Sequence, residues 1–252
     1  MFKDKHIVLI VSGGIAAYKS AIFARLLMKQ GAEVKVVMTE AATEFVTPKT
    51  FSALTHHPVL TNLFQTDGND PIPHITTADW ADYIFVVPAT ANIIAKMVQG
   101  IGDDAASSVL LARHTPVIVA PAMNVKMYEN PATQRNLHLL QEDGVLMIDP
   151  EEGMLAEGYS GKGRLPEPET ILAWAQLKLL QQTGQLAGKK VVVTAGGTIE
   201  EIDPVRYISN HSSGKMGYAM AQAAIEQGAE VTLLSTSHLP VPVGVNMIPV
   251  KS

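Results

Sequence analysis

Residues 6–11 read His-Ile-Val-Leu-Ile-Val and run straight into Ser12-Gly13-Gly14. Five apolar residues in a row, without alternation, suit a parallel strand buried on both faces. A segment from about Ala16 to Lys29 follows, with Phe23, Leu26 and Leu27 on one face and Gly31 at its end. That is the pattern of an amphipathic helix closed by a glycine C-cap. Glu33 to Met38 then restarts the apolar run. Further strands are expected at Asp82–Val87, Val117–Ala120 and Val145–Ile148. Helices are expected at Ile93–Gln99, Asp104–Ala112, Pro131–Glu142 and Ile171–Gln182. Strands separated by helices imply an α/β fold, a three-layer doubly wound parallel sheet.

The weak echo Gln30-Gly31-Ala32-Glu33-Val34 and Gln227-Gly228-Ala229-Glu230-Val231 marks two such α/β starts. Residues 1–182 are expected to form one domain, 183–188 a linker and 189–252 the incomplete start of a second, nucleotide-binding α/β domain. Such a domain usually needs about 100 residues or more, so residues past about 236 are expected to be poorly packed or dependent on a partner. The 252 residues are 47% hydrophobic and 17% charged, which suffices for a substantial core. A net charge of −5 without a long basic run argues against nucleic acid as a partner. The sequence has no cysteine, which excludes disulfides and thiolate metal ligands and allows a reducing cytoplasm. Met1–Lys5 leads directly into a strand. Neither a signal peptide nor a span of about 20 apolar residues is evident, so no membrane partner is expected.

Several stretches carry polar chemistry at strand ends. Ser12-Gly13-Gly14-Ile15 offers backbone N–H groups to a phosphate, or is simply a tight strand-to-helix turn. It lacks the glycine spacing of a dinucleotide fingerprint or a P-loop. Thr39 is a helix cap or a hydroxyl donor to a ligand. Pro88-Ala89-Thr90-Ala91-Asn92 has small residues where a flat ring can lie against the backbone; Thr90 is equally a cap. Pro121-Ala122-Met123-Asn124-Val125-Lys126-Met127-Tyr128 is a strand-to-helix loop before the helix start Asn130-Pro131, with Asn at the cap and Pro at the first position. Its methionines and tyrosine are costly to expose, and its Asn needs a partner if buried. Either this is a ligand loop or its methionines pack beneath the helix. Residues 56–75 look irregular, with His56 and His57 at the surface and His74 after two prolines. Residues 149–168 hold five acidic groups, four glycines and three prolines, the composition of a mobile flap or a long surface loop. Ser209-Asn210-His211-Ser212-Ser213-Gly214-Lys215-Met216-Gly217 is a phosphate loop or a polar helix cap.

The Pro-Ala-Met-Asn-Val-Lys-Met-Tyr stretch resembles the substrate-recognition motif of the flavin-dependent cysteine decarboxylase family. Ser12 to Lys19, His74-Ile75, Pro88 to Asn92 and Gly163-Arg164-Leu165-Pro166-Glu167-Pro168 are similar to that family's other signatures, in its order, over roughly residues 5–180. The remainder resembles the opening of the phosphopantothenate–cysteine ligase family. The resemblance implies a flavodoxin- or Rossmann-like flavoprotein that binds FMN and decarboxylates 4'-phosphopantothenoylcysteine to 4'-phosphopantetheine in coenzyme A biosynthesis. It implies a cytoplasmic homo-oligomer, a trimer or dodecamer, with FMN near a subunit interface. FMN contacts fall on Ser12, Gly13, Gly14, Ile15, Thr39, Pro88, Ala89, Thr90 and Asn92. His74 acts on the substrate as a base, Asn124 holds its carboxylate, Met123 and Met127 wall the site, and Arg164 binds substrate. In the ligase part, Asn210 helps handle an acyl-cytidylate formed from CTP with Mg2+. Ligase activity is expected only in a complete chain, and no resident metal site is implied.

One position departs from the resemblance. The family's Leu-Ala-Cys-Gly, whose cysteine protonates the enethiolate, here reads Leu155-Ala156-Glu157-Gly158. A free Glu titrates about four units below a free Cys, so Glu157 serves as the acid only if burial keeps it protonated. The alternative is an oxidative peptidyl-cysteine decarboxylase that stops at an enethiol. A further one is a non-enzymatic regulatory flavoprotein subunit.

Overall fold

The computed structural model describes residues 1–64, 70–154, 158 and 160–251. Cα packing divides the chain into two compact units, Met1–Leu172 and Ala173–Ser252. The first opens with β1 (His6–Val11), α1 (Ala17–Lys29), β2 (Glu33–Met38), α2 (Glu40–Thr43) and α3 (Pro48–Thr55). It continues with α4 (Pro73–Trp80), β3 (Tyr83–Ala89), α5 (Ala91–Gln99), α6 (Ala105–Leu111) and β4 (Val117–Pro121). The short helix α7 (Val125–Tyr128), α8 (Pro131–Glu142) and β5 (Leu146–Met147) lead to an antiparallel ribbon of β6 (Glu151–Met154) and β7 (Ser160–Arg164). Helix α9 (Pro168–Thr183) begins in the first unit.

The main sheet has the order β2-β1-β3-β4-β5 and is parallel throughout. The order reverses between β1 and β3. Right-handed crossovers therefore send helices to opposite faces, as the unbroken apolar strands require. Val8 and Ile10 pack on one face with Ile84, Val86, Val117 and Val119, all at or below 2% exposure. Ile7 and Leu9 alternate to the other face, where Phe23 of α1 and Phe2 meet Phe85 edge-on at 5.3 and 5.8 Å between centroids. Burying such side chains contributes roughly 1.5–3 kcal/mol each.

The second unit holds β8 (Lys190–Ala195), β9 (Ile199–Glu201), β10 (Tyr207–Ser209), α10 (Lys215–Glu226), β11 (Glu230–Ser235) and β12 (Asn246–Pro249). β12, β11 and β8 form a parallel sheet in that order, and β9 pairs with β10 as a separate hairpin. Leu177, Tyr218, Ile225, Val231 and Leu233 form its core.

The structure refines several expectations. Residues 183–188, read as a linker, contact the second unit: the Leu186 N–H donates to the Gln227 carbonyl at 2.8 Å, and Leu186 packs on the second core. The units divide inside α9 rather than after it, because Leu177 in its later turns is buried in that core. Past 236, β12 gains a parallel ladder from β11 and Leu239, Val245 and Met247 lie partly buried against the core, but no described residue there is fully buried, in line with the poor packing expected. Within the 149–168 flap, residues 151–154 and 160–164 pair as the β6–β7 ribbon, and α4 begins at Pro73 inside the stretch read as irregular. His57 is not a free surface residue: its Nε2 lies 3.0 Å from Glu33 and its ring meets Trp80 edge-on.

Candidate active site

Parallel strands deliver their carboxyl ends to one edge, and the reversal between β1 and β3 opens a crevice there. At this edge lies a cavity of about 940 Å³. Its wall comes from Gly13 to Ala16, Tyr18 and Lys19 after β1, Thr39 to Ala41 after β2, Pro88 in β3 and Thr90 to Ile93 after it, Ala122 to Asn124 with Met127 after β4, and Met154 with Gly163 to Leu165 at the ribbon. Thus Gly13, Gly14, Ile15, Thr39, Pro88, Thr90, Asn92, Met123, Asn124, Met127 and Arg164, foreseen from sequence, converge on one cavity.

Two foreseen residues stand behind this wall. Ser12 is 1% exposed; its Oγ donates to the Pro88 carbonyl at 2.8 Å and accepts from the Thr90 N–H at 3.0 Å. It therefore ties the end of β1 to that of β3 and does not line the cavity. Ala89 is fully buried in β3. Gly13 is needed for the close approach of the turn after β2: a Cβ there would overlap the Ala41 backbone and side chain.

Both threonines are caps and wall residues at once. Thr39 Oγ1 accepts from the Ala42 N–H at 3.3 Å, and Thr90 Oγ1 from the Ile93 N–H at 3.4 Å. Asn92 sits in the first turn of α5, not in a loop before it. Asn124 caps α7, its Oδ1 accepting from the Lys126 N–H at 2.9 Å. The amide's donor end, Nδ2, is thereby distinguished from its acceptor end. The loop's two methionines differ: Met127 is 49% exposed at the cavity, whereas Met123 is partly buried against the core that holds Tyr128 and Leu137.

The ribbon is held on this loop. The Met123 N–H donates to the Gly163 carbonyl at 3.0 Å. A Cβ on Gly163, whose φ is +148°, would collide with the Met123 carbonyl oxygen. Next to it, Arg164 Nη2 and Lys19 Nζ both donate to Glu167 Oε1, at 2.8 and 2.9 Å. The Lys19 bond, then the Arg164 bond, hold the Glu167 carboxyl below the usual carboxylate range against the opposing pull of burial.

Charged residues without an assigned role complete the wall. Lys96 lies 2.6 Å from Asp103 and 2.5 Å from Asp104. Burial pushes the Asp104 carboxyl up, but the Lys96 ammonium and the Ser107 donors outweigh it and hold it below its ordinary value. No periodicity marks these residues. The only signal was the adjacent Asp103-Asp104 before a helix, a capping pattern that Asp104 fulfils toward the Ser107 N–H at 2.7 Å.

His74 is not in the cavity wall. It lies in the first turn of α4, and its Nδ1 is buried with no hydrogen-bond partner among the described residues. Glu157 lies outside the described residues. Asn210 belongs to the second unit, where its Oδ1 accepts from the Ser212 N–H at 3.0 Å before Gly214 opens α10. Among the described residues no His, Asp and Glu groups converge to hold a metal ion, and no helix is long and apolar enough to cross a membrane.

The flavoprotein family model matches residues 1–180, and that of the DNA/pantothenate metabolism flavoprotein C-terminal domain matches 186–252. The chain is 51% identical over 255 residues to the coenzyme A biosynthesis bifunctional protein CoaBC of Bacillus subtilis (strain 168), covering 100% of this chain and 63% of that one. It is 45% identical over 249 residues to the CoaBC protein of Escherichia coli (strain K12), covering 98% and 61%. It thus spans less than two thirds of these curated relatives. Among solved structures, a PPC decarboxylase variant complexed with pantothenoylaminoethenethiol superposes with a TM-score of 0.61 at 29% identity, covering 71% of this chain and 100% of that one. The FMN-dependent cysteine decarboxylase SpaF superposes with a TM-score of 0.59 at 30% identity, covering 69% and 99%. With its model matched across the whole first unit and its fold shared with these decarboxylases, the chain belongs to the flavoprotein family.

Proposed function

We propose that residues 1–182 form an FMN-dependent decarboxylase that converts 4'-phosphopantothenoylcysteine to 4'-phosphopantetheine in coenzyme A biosynthesis. The observation that carries this reading is the convergence of the glycine turn, the Thr90 edge and the Asn124 loop on one cavity at the sheet's carboxyl edge. The residues present fit FMN. The cavity has the size of sites that take cofactor-sized ligands. On Gly14 a Cβ would meet only Thr90 Cγ2, at 3.7 Å, so its backbone is open to a phosphate. Gly13, Gly14, Ile15 and Thr39 would hold the phosphate end, and Pro88, Thr90 and Asn92 the ring.

When bound, FMN supplies reversible two-electron oxidation of the carbon bearing the substrate thiol, the electron sink that a saturated thiol lacks. The chain's own residues position the substrate. Asn124 Nδ2 donates to its carboxylate, with the amide oriented by the Lys126 N–H, so that the breaking bond is held in one geometry. Met123 and Met127 exclude water, which favours loss of the charged carboxylate. Arg164 binds an anionic part of the substrate. His74 takes the thiol proton. Because it stands off its own chain's cavity, it serves the site of a neighbouring copy in a homo-oligomer, a trimer or dodecamer. The exposed stripe Ile15, Tyr18 and Ile22 on and before α1, beside the cavity, supports such an interface. Residues 189–252, joined through 183–188, are part of a phosphopantothenate–cysteine ligase domain. There, in a complete chain, Asn210 handles the acyl-cytidylate formed from CTP with Mg2+.

Glu157 in place of the family's cysteine favours a second reading, an oxidative decarboxylase that releases an enethiol. Anaerobic incubation of the FMN-loaded protein with phosphopantothenoylcysteine, followed by mass spectrometry, separates the two. Loss of carbon dioxide alone supports the first reading and makes Glu157 the acid. Loss of carbon dioxide with two hydrogens, and bleached flavin, supports the second. No turnover with FMN bound overturns both.

A further inference from the structure

Glu167 has no role in the positions discussed so far, yet it joins three parts of the cavity wall. Its Oε1 accepts from Lys19 Nζ of α1 at 2.9 Å and from Arg164 Nη2 of the ribbon at 2.8 Å. Lys19 Nζ also donates to the Leu165 carbonyl at 3.0 Å, on the segment that leaves the ribbon. The Lys19 side chain is only 8% exposed. An ammonium so far from water costs several kcal/mol unless its donors are met, so Lys19 is held to these two acceptors. Arg164 is different: its side chain is 43% exposed and lines the cavity. A guanidinium carries five N–H donors in a fixed plane, and Glu167 takes one of them. Fixing that one corner sets the plane in which the others are presented. Two cations meet one carboxylate, which leaves a net positive charge at this end of the cavity. Another part of the lining has the reverse balance, with Lys96 between Asp103 and Asp104.

We propose that Lys19, Glu167 and Arg164 form a latch, in which Glu167 is a positioning residue that aims Arg164 at an anionic group of the substrate while Lys19 anchors the ribbon to α1. The chemical class recognised is a carboxylate or phosphate oxygen, which suits bidentate or single-fork pairing with the remaining guanidinium donors. The ribbon cannot fix Arg164 by packing alone. β7 reads Ser-Gly-Lys-Gly-Arg, with no large apolar side chain; it is held by the Gly163–Met123 backbone bond, by Gly161 lying close against Val125, by Lys162 Nζ 5.6 Å from the Tyr128 ring centroid, and by this latch. The effect on substrate rests on the decarboxylase reading above; the hold on the ribbon does not.

The test uses the full chain loaded with FMN, in wild type and the variants E167Q, R164Q and E167Q/R164Q. Amide hydrogen exchange is read at residues 151–154 and 160–164, with residues 6–11 of β1 as an internal reference. E167Q is expected to speed ribbon exchange roughly tenfold, the scale of one lost charge-assisted bond, with β1 unchanged. Affinity for phosphopantothenoylcysteine, read by calorimetry under anaerobic conditions, is expected to fall roughly tenfold in E167Q and in R164Q. The double variant is expected to bind no more weakly than R164Q alone, because Glu167 acts through Arg164. K19R, which keeps the cation, is expected to restore most of the ribbon protection that K19M loses.

Unchanged ribbon exchange in E167Q overturns the latch, whatever the enzyme's activity. Additive losses in the double variant overturn the positioning role of Glu167 and leave it a plain ion pair. If wild type neither binds nor turns over this substrate, the decarboxylase reading falls, and the exchange arm alone decides the latch. Loss of β1 protection in E167Q would mean global destabilisation. The K19R and K19M pair then decides, with equal ribbon exchange in the two counting against the latch.

Discussion

Ser12 shows how residue identity and residue role separate. Its place in a Ser-Gly-Gly turn suggests a phosphate contact, but its hydroxyl is consumed in joining the Pro88 carbonyl to the Thr90 N–H behind the wall. Ser12→Ala removes the partner of the buried Pro88 carbonyl and of the part-buried Thr90 N–H, at a cost of about 1–3 kcal/mol. Chemical denaturation is expected to report that loss. FMN affinity should fall only as far as the Thr90 edge shifts, by less than about tenfold. A far larger loss of FMN affinity at unchanged stability would return Ser12 to the cofactor's contacts. Asn124 is the opposite case. Sequence reading gave it one task, and the structure adds the capping of α7, which fixes the direction in which its amide donors point. Lys19 and Glu167 sat inside recognised motifs without a role, because pairing across 148 positions has no sequence period.

Among elements, the ribbon departs most from its sequence signal. Gly, Pro and acidic residues without alternation read as a flap, because strand signals rest on apolar periodicity and this ribbon has almost none. Backbone pairing between β6 and β7 and the Gly163–Met123 contact made it an ordered wall. Its attachment should depend on pH through Glu167. The folded carboxyl titrates below its unfolded value, chiefly because of Lys19. The native state therefore binds fewer protons, and the contribution is complete above the unfolded value, about pH 4.3, and lost as pH falls through the lower folded value. Ribbon amide protection, corrected for intrinsic exchange, is expected to hold from pH 7 to about 5 and to decline below about 4. E167Q should abolish that dependence. Half of the Glu167 side chain is open to water, which keeps the effect small.

The whole molecule consists of two units with separate cores, and the cavity belongs to the first. Leu233 is fully buried in the second core. Leu233→Ala is expected to destabilise that unit by about 2–5 kcal/mol. Exchange in β8 and β11 should rise while the FMN affinity proposed for the first unit stays within about twofold, since the two units have separate cores. A matching loss of FMN would show the units to be energetically coupled. The sequence by itself determined the parallel α/β architecture, the strands β1 to β4 nearly to the residue, and the wall residues at their carboxyl ends. Those rest on local signals: unbroken apolar runs, glycine turns, and Asn or Thr caps. Tertiary structure alone decided that Ser12 and Ala89 stand behind the wall, that His74 lies off it, that Gly163 bonds to the Met123 loop, and that Lys19 and Glu167 meet. These are contacts between segments far apart in the chain, set by which strand ends the sheet brings together, and no local pattern encodes them.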